Sequence, residues 1–307
     1  MSSTTVNPTL SSRAHQFYQL TKPRVVYLIV FTAIIGMLLA VPGIAPLQPF
    51  LAGTVGIALV AGAAAAMNCL VEQKIDAIMA RTRARPLPRG QLTSIQTLIF
   101  SGIVGGIGLA VLYHWVNALT MWLTLATFVG YAVIYTVILK PMTPQNIVIG
   151  GAAGAFPPMI GWAAVTGTVS VESIVLFMII FMWTPPHFWA LALYRSQEYA
   201  KVGVPMLPVV AGRLETCKQI LIYTVIMIPV TLAPWLMGFA SVYYGVSAAV
   251  LGLIFAVFAL RVWQSRNLSG ENADRPARHL FAYSILYLML LFTALLAEGL
   301  LNMGSGA

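Results

Sequence analysis

The fold class predicted for this chain is all-α: a polytopic membrane protein of about nine transmembrane helices in one bundle, with a cavity facing the cytoplasm. Three observations predict it. Of 307 residues, 59% are hydrophobic and only 8% charged, against about 25% charged in a soluble domain. Mean hydropathy is +0.87. The apolar residues gather in nearly charge-free runs, each close to the roughly 20 residues a helix needs to cross a bilayer core. These runs lack the alternation of a barrel strand, and unpaired backbone groups are too costly in lipid for anything but helix or barrel.

In chain order the runs fall near residues 25–43, 49–69, 96–114, 117–139, 146–165, 173–194, 219–239, 242–260 and 280–300. A polar tail, 1–24, precedes the transmembrane domain, 25–300, and a short tail, 301–307, follows it. The longer, charged loops lie at about 70–95, 195–218 and 261–279. Basic residues orient the array. Arg13, Lys22 and Arg24 precede the first span; Lys74, Arg81, Arg83, Arg85 and Arg89 follow the second; Lys140 follows the fourth. Arg195, Lys201, Arg213 and Lys218 lie between the sixth and seventh, and Arg261, Arg266, Arg275 and Arg278 between the eighth and ninth. These are all 17 Lys and Arg of the chain. With nine spans they share one side, which the positive-inside rule makes cytoplasmic. The N-terminus is thus expected in the cytoplasm and the C-terminus opposite.

The net charge of +9 is therefore mainly a topology signal and calls for no nucleic-acid partner. It suits anionic lipid or a phosphorylated substrate. The first 24 residues lack the apolar core of a secretory signal, so the first span is expected to act as an uncleaved insertion signal. Cys69 and Cys217 fall at the cytoplasmic ends of spans, where no disulfide is expected.

Two of the charged loops are chemically rich. In the first, Asn68, Glu72 and Asp76 are spaced four apart, so on one helix they share a face at about 6 Å per step. Oxygen ligands of this kind suit Mg²⁺, which takes its remaining ligands from water and substrate phosphates. Downstream, Arg81, Arg83, Arg85 and Arg89 offer forked donors for phosphate oxygens, and Pro86, Pro88 and Gly90 turn the chain back. Together they predict a diphosphate–Mg²⁺ site, with Lys74 and Arg85 as substrate ligands and Arg81 acting catalytically. The competing reading is an ordinary helix end whose acids pair with its topology-setting cations.

In the second, Pro185 and Pro186 are expected to break the sixth span. His187, Tyr194 and Glu198 follow on one expected helical face lining a pocket. His187 either contacts substrate or only hydrogen-bonds a neighbouring helix. Tyr131 and Tyr135, one turn apart, either present ring faces to a developing cation or simply pack. The run from Asn146 to Trp162 is rich in Gly and Ala, which permits close helix approach, and its Pro157–Pro158 pair mirrors the other proline pair. His15, His114, His279 and Glu298 show no partners. RPLPRG (85–90) and VPMLPVVAG (204–212) are similar turns four helices apart, a hint of parallel duplication.

These segments resemble the intramembrane aromatic prenyltransferases of the UbiA superfamily over nearly the whole chain. The superfamily's Asn-x3-Asp-x3-Asp stands here as Asn68-x3-Glu72-x3-Asp76, one methylene longer at its centre. LKPMTPQNIVIGGAAGAFPPMIGW (139–162) and WTPPHFWALALYRSQEYAKVGVPMLPVV (183–210) resemble the heme-prenylating subgroup. The resemblance implies a bacterial inner-membrane enzyme that moves a farnesyl group from farnesyl diphosphate to a vinyl of heme B, with water added and Mg²⁺ as cofactor. It implies Asn68, Glu72 and Asp76 as metal ligands, Tyr131 and Tyr135 near the allylic cation, and Asn146, His187, Tyr194, Arg195, Glu198 and Lys201 at substrate. His187 would ligate heme iron or orient a propionate. The superfamily's second aspartate-rich motif is absent, and Arg195 and Lys201 would neutralise the diphosphate in its place. Contact with other heme-biosynthesis or oxidase-assembly proteins is a further expectation. The same metal site would serve a quinone-precursor acceptor. A transporter also uses intramembrane acids and broken helices, but here no span carries an acid at mid-depth.

Overall fold

Apolar runs without water to satisfy their backbone fold as helices, and the computed structural model, which describes residues 10–304, contains no strand among them. Helix α1 (Leu10–Leu20) is bent by 56° from α2 (Pro23–Leu39). Next come α3 (Leu47–Val71), α4 (Gln73–Ile78), α5 (Ser94–Trp115) and α6 (Ala118–Val129). A π-helix, Gly130–Leu139, extends α6 and leads into α7 (Lys140–Met142). The chain continues through α8 (Asn146–Ala155), α9 (Pro157–Thr166), α10 (Val171–Tyr194) and α11 (Ser196–Lys201). It ends with α12 (Leu207–Val210), α13 (Gly212–Leu236), α14 (Val242–Gln264) and α15 (Glu271–Gly304). Among the described residues eight helices are long and apolar enough to cross a membrane, or nine spans if the bent α1–α2 pair counts as one. Residues 1–9 and 305–307 of the expected tails lie outside the described residues.

The two proline pairs behave differently. Pro157 opens α9 and separates it from α8 at Phe156, so the fifth span is two helices. The expected break at Pro185–Pro186 does not occur, and α10 runs straight through both prolines. The prolines remove the helical donors to Phe181 O and Met182 O; one turn earlier the Thr184 hydroxyl donates to Ile180 O at 2.8 Å, and this buried turn lies against Gly151 of α8. Membrane helices tolerate proline where neighbours re-satisfy or cover the backbone.

Small residues set the closest helix contacts. A Cβ built on Gly161 of α9 would stand 2.0 Å from Ala33 O of α2, and one on Gly36 would stand 2.0 Å from Pro158 O. Gly56 and Gly108 do the same for α3 against α5. The central α10 packs on α8, α13 and α15, around a core that holds Trp189, Tyr244, Phe255, Tyr287 and Phe292. The two similar turns both end on a left-handed glycine, Gly90 at φ 68° and Gly212 at φ 78°. This packing collects the ends of α3, the π-helix, α10 and α15 at the charged end of the bundle.

Candidate active site

Asn68 lies in the last turn of α3, Glu72 caps it, and Asp76 belongs to α4. The expected single helix through all three is thus interrupted: Glu72 adopts φ −85°, ψ 4°, and the helix restarts at Gln73. The backbone bonds still continue, from Glu72 N–H to Asn68 O at 3.0 Å and from Asp76 N–H to Glu72 O at 2.8 Å. That keeps the four-residue spacing, and the three side chains turn inward, only 2%, 7% and 2% exposed. Lys74 falls on the other side of the same turn and is exposed. It is not brought to the site.

Buried carboxylates demand partners. Asp76 accepts from Arg85 Nη1 at 2.5 Å, and Glu72 accepts from Lys140 Nζ. Lys22 Nζ donates to Asn68 Oδ1. Burial acts to raise the Glu72 carboxyl, but Lys140 and Lys22 outweigh it and hold the group below its usual range. Sequence reasoning counted Lys22 and Lys140 only as topology charges; the fold brings both into the site. Lys22 also carries the one non-glycine backbone in the left-handed region among the described residues, φ 50°, which costs about 1 kcal/mol. Such strain persists where the surrounding structure over-determines it. Arg81, Arg83 and Arg89 stay exposed on the turn. Burial raises the Tyr199 phenol while Arg81, close by, opposes it.

The π-helix contributes two further features. Thr136 donates to Tyr131 O at 2.7 Å and accepts from Asn68 Nδ2 at 3.0 Å. The other amide hydrogen of Asn68 goes to Glu72 Oε1, also at 3.0 Å. Both hydrogens being committed, the side-chain carbonyl is turned to Lys22 Nζ. Tyr131 and Tyr135, expected one turn apart on an ordinary span, lie on the π-helix, where their rings stack with centroids 5.8 Å apart and 14° from parallel. Asn146, at the start of α8, is fully buried; its amide donates to Thr143 O at 2.6 Å and its Oδ1 has no hydrogen-bond partner.

The second segment divides. His187 Nδ1 lies 2.6 Å from Ser284 Oγ, whose single hydrogen is given to Phe281 O at 2.7 Å. Nδ1 therefore carries the proton, and Nε2 keeps its lone pair. The imidazole is stacked on Trp183, 4.2 Å away, and on Phe281, 4.7 Å away. Tyr194 is flanked by the guanidinium groups of Arg195 and Arg278, 5.7 and 5.4 Å from its ring centre. Glu198 does not share this face, because α10 ends at Tyr194 and the chain turns at Arg195 before α11. It pairs instead with Arg195, and both line a cavity of about 420 Å³ with Tyr194. Lys201 is exposed at the end of α11. Glu298, read as partnerless, accepts from Ser241 Oγ at the far end of the bundle.

The residues fit a divalent cation. Among the described residues no three His, Cys, Asp or Glu side chains gather into a metal cluster. Two carboxylates and the Asn68 amide oxygen form the sparse hard-oxygen set that Mg²⁺ completes with water and phosphate. Three cations already surround two anions here, so a cation entering alone would meet repulsion. One that arrives with a polyanionic diphosphate restores the balance.

The sequence pattern of the UbiA prenyltransferase family matches residues 29–285. The chain belongs to the UbiA prenyltransferase family. It is an integral membrane enzyme of prenyl transfer. The protoheme IX farnesyltransferase of Nitrosospira multiformis is 62% identical over 288 residues, 94% of this chain and 95% of that protein. The protein of the same name from Nitrosomonas eutropha is 59% identical over 286 residues, 93% and 94% of the two chains. Solved structures share the fold at lower identity. A digeranylgeranylglyceryl phosphate synthase has a TM-score of 0.78 at 16% identity, over 93% of this chain and 98% of that one. An Archaeoglobus fulgidus UbiA homologue bound to GPP and Mg²⁺ has a TM-score of 0.65 at 16% identity, over 91% and 99%.

Proposed function

We propose that this enzyme transfers a farnesyl group from farnesyl diphosphate to a vinyl group of heme B, with addition of water, to give heme O. The observation that carries the reading is the buried Asn68, Glu72 and Asp76 set ringed by Lys22, Lys140 and Arg85 at the rim of an apolar bundle. Relatives named for protoheme IX, 62% and 59% identical, support the acceptor. In the balanced reaction the allylic C–O bond breaks and a C–C bond forms to one vinyl carbon. Water adds its oxygen to the other vinyl carbon and gives up a proton, and diphosphate leaves.

Asn68, Glu72 and Asp76 would hold Mg²⁺, which when bound supplies Lewis-acid polarisation of the diphosphate. Lys22 and Lys140 have flexible stems and can swing from Asn68 and Glu72 to phosphate oxygens. Arg85 and Arg81 add forked donors for the departing charge. The stacked rings of Tyr131 and Tyr135 face the allylic carbon as positive charge develops there. Apolar walls keep water from that carbon until the vinyl has attacked. At the acceptor end, His187 Nε2 offers a lone pair to the heme iron. Tyr194 lies seven residues further along α10, about 10 Å by helical rise, and Arg195 and Arg278 beside it pair with the propionates.

Asp76→Asn tests the site. Heme extracted from membranes expressing the variant should show formation of heme O reduced by about 100-fold or more, with protein levels unchanged. Turnover within a few-fold of the parent would overturn the assignment. Offering 4-hydroxybenzoate in place of heme B tests the acceptor, and product from the benzoate alone would refute it.

A further inference from the structure

Helix α15 has two polar faces at the charged end of the bundle, and the site described above uses only one. Arg278, Phe281 and Ser284 point toward α10, where they touch Tyr194 and His187. Asn272, Arg275, Pro276 and His279 recur at i, i+3, i+4 and i+7, which places them together on another face. They meet Phe258 and Arg261 of α14 around a separate cavity of about 310 Å³.

The chemistry of that cavity is one-sided. It is lined by two arginines, a histidine and an amide, with no carboxylate among its residues. The nearby Asp274 is engaged by Arg213 on the far side of the helix, 3.5 Å away. Arg261 and Arg275 form none of the ion pairs made by the described residues. Arg261 instead rests against the Phe258 ring, 5.7 Å from its centre. Pro276 has no N–H, so the Asn272 carbonyl four residues earlier lacks its helical donor.

The position is equally specific. Just below the cavity, α14 turns Leu253, Val257 and Leu260 outward, 64%, 48% and 45% exposed, as a lipid-facing surface. α15 does the same with Leu286 and Met289, 51% and 48% exposed. Two arginines on one cavity at the charged end of a lipid-facing apolar surface match one ligand class. Basic pockets between spans on the cytoplasmic side hold anionic head groups, and clustered arginines clamp phosphate oxygens.

We propose that the α14–α15 hairpin binds the phosphodiester of an anionic phospholipid, with Arg261 and Arg275 on the phosphate oxygens and His279 at the rim. The Asn272 carbonyl accepts from a head-group hydroxyl, and the acyl chains lie along Leu253, Val257 and Leu286. This lipid pins α15 from the face opposite the one that carries Ser284 and Phe281. It is independent of the acceptor assigned above.

Native mass spectrometry of the detergent-purified full chain, with added phosphatidylglycerol or phosphatidylcholine, tests the site. One phosphatidylglycerol should be retained at collision energies that strip phosphatidylcholine, and thermal unfolding should shift upward with phosphatidylglycerol only, because a ligand bound to the native state alone stabilises it. Arg261→Gln with Arg275→Gln should lower retention about tenfold, while Arg266→Gln with Arg24→Gln, which together remove the same two charges outside the cavity, should not. Equal loss in both variants would reduce the effect to bulk charge and overturn the site. The same thermal shift with inorganic phosphate alone would overturn the lipid as ligand. Should the double variant express poorly, Arg275→Lys serves in its place: it keeps the charge but loses the fork, so retention should fall between parent and double variant, and full retention would refute the clamp.

Discussion

At the level of single residues, the site is organised by which hydrogens are already spent. The Asn68 amide gives one hydrogen to Glu72 and one to Thr136, so its carbonyl oxygen has one direction left. Thr136 reaches it because the π-helix wraps the chain one residue wider than an α-helix would, and widened turns of this kind recur at functional sites. Thr136→Val should release the amide, at a cost near 1 kcal/mol. In the assay that means a Mg²⁺ concentration for half-maximal activity raised about fivefold, with the prenyl-independent thermal midpoint little changed. Thr136→Ser should restore the parent value. A serine variant as impaired as the valine one would show that packing, and not the hydroxyl, is what matters. The same reasoning explains what the sequence left hidden. Asn68, Glu72 and Asp76 were legible from their spacing, because a helix converts spacing into a shared face. Lys22 and Lys140 were not, since each partner lies 46 or 68 residues away and only the fold sets that distance.

Among elements, close approach decides what can change. α2 and α9 meet through Gly36 and Gly161, where an added methyl would collide with backbone oxygen at 2.0 Å. A backbone atom cannot move aside as a side-chain end can, so Gly161→Ala should destabilise by about 3 kcal/mol and lower the thermal midpoint in detergent by several degrees. Gly154→Ala, in the same glycine-rich segment but with nothing within 4 Å, should be neutral. Equal effects would mean the crowding is relieved by helix movement. The glycine-rich run of the fifth span announced this contact in the sequence, and span positions were legible because hydropathy is a local property. The fate of the two proline pairs was not. Pro157 and Pro185 have the same local cost, yet one ends a helix and the other does not, according to which neighbouring turn covers it. The helix end at Tyr194 was equally invisible, so Glu198 was placed on a face it does not share.

For the whole molecule, charge and crossing number must agree. All 17 basic residues sit in segments that nine crossings assign to one side, whereas eight crossings would put the α1 region opposite the loops it touches. The structure bears on the count through α2, which at 17 residues is shorter than each of the eight long spans. Lys22, just before it, contacts Asn68 near the end of α3. Its other end joins the start of α3 through residues 40–46 alone. An antiparallel partner of α3 that begins where α3 finishes must traverse the same thickness, and about 25 Å of helix suffices for a thin or locally compressed bilayer. With α1 bent from it by 56°, α2 is the expected ninth crossing. The expected arrangement therefore has the turn at Arg89 in the cytoplasm and the end of α15 outside it. Alkaline phosphatase joined after residue 304 should be active and green fluorescent protein at the same place dark, with the pattern reversed for fusions at residue 90. Activity of the phosphatase at residue 90 would place the diphosphate site on the wrong side of the membrane for a substrate made in the cytoplasm. It would detach the basic residues from topology, leaving the crowd of cations around Glu72 and Asp76 to be explained by substrate charge alone.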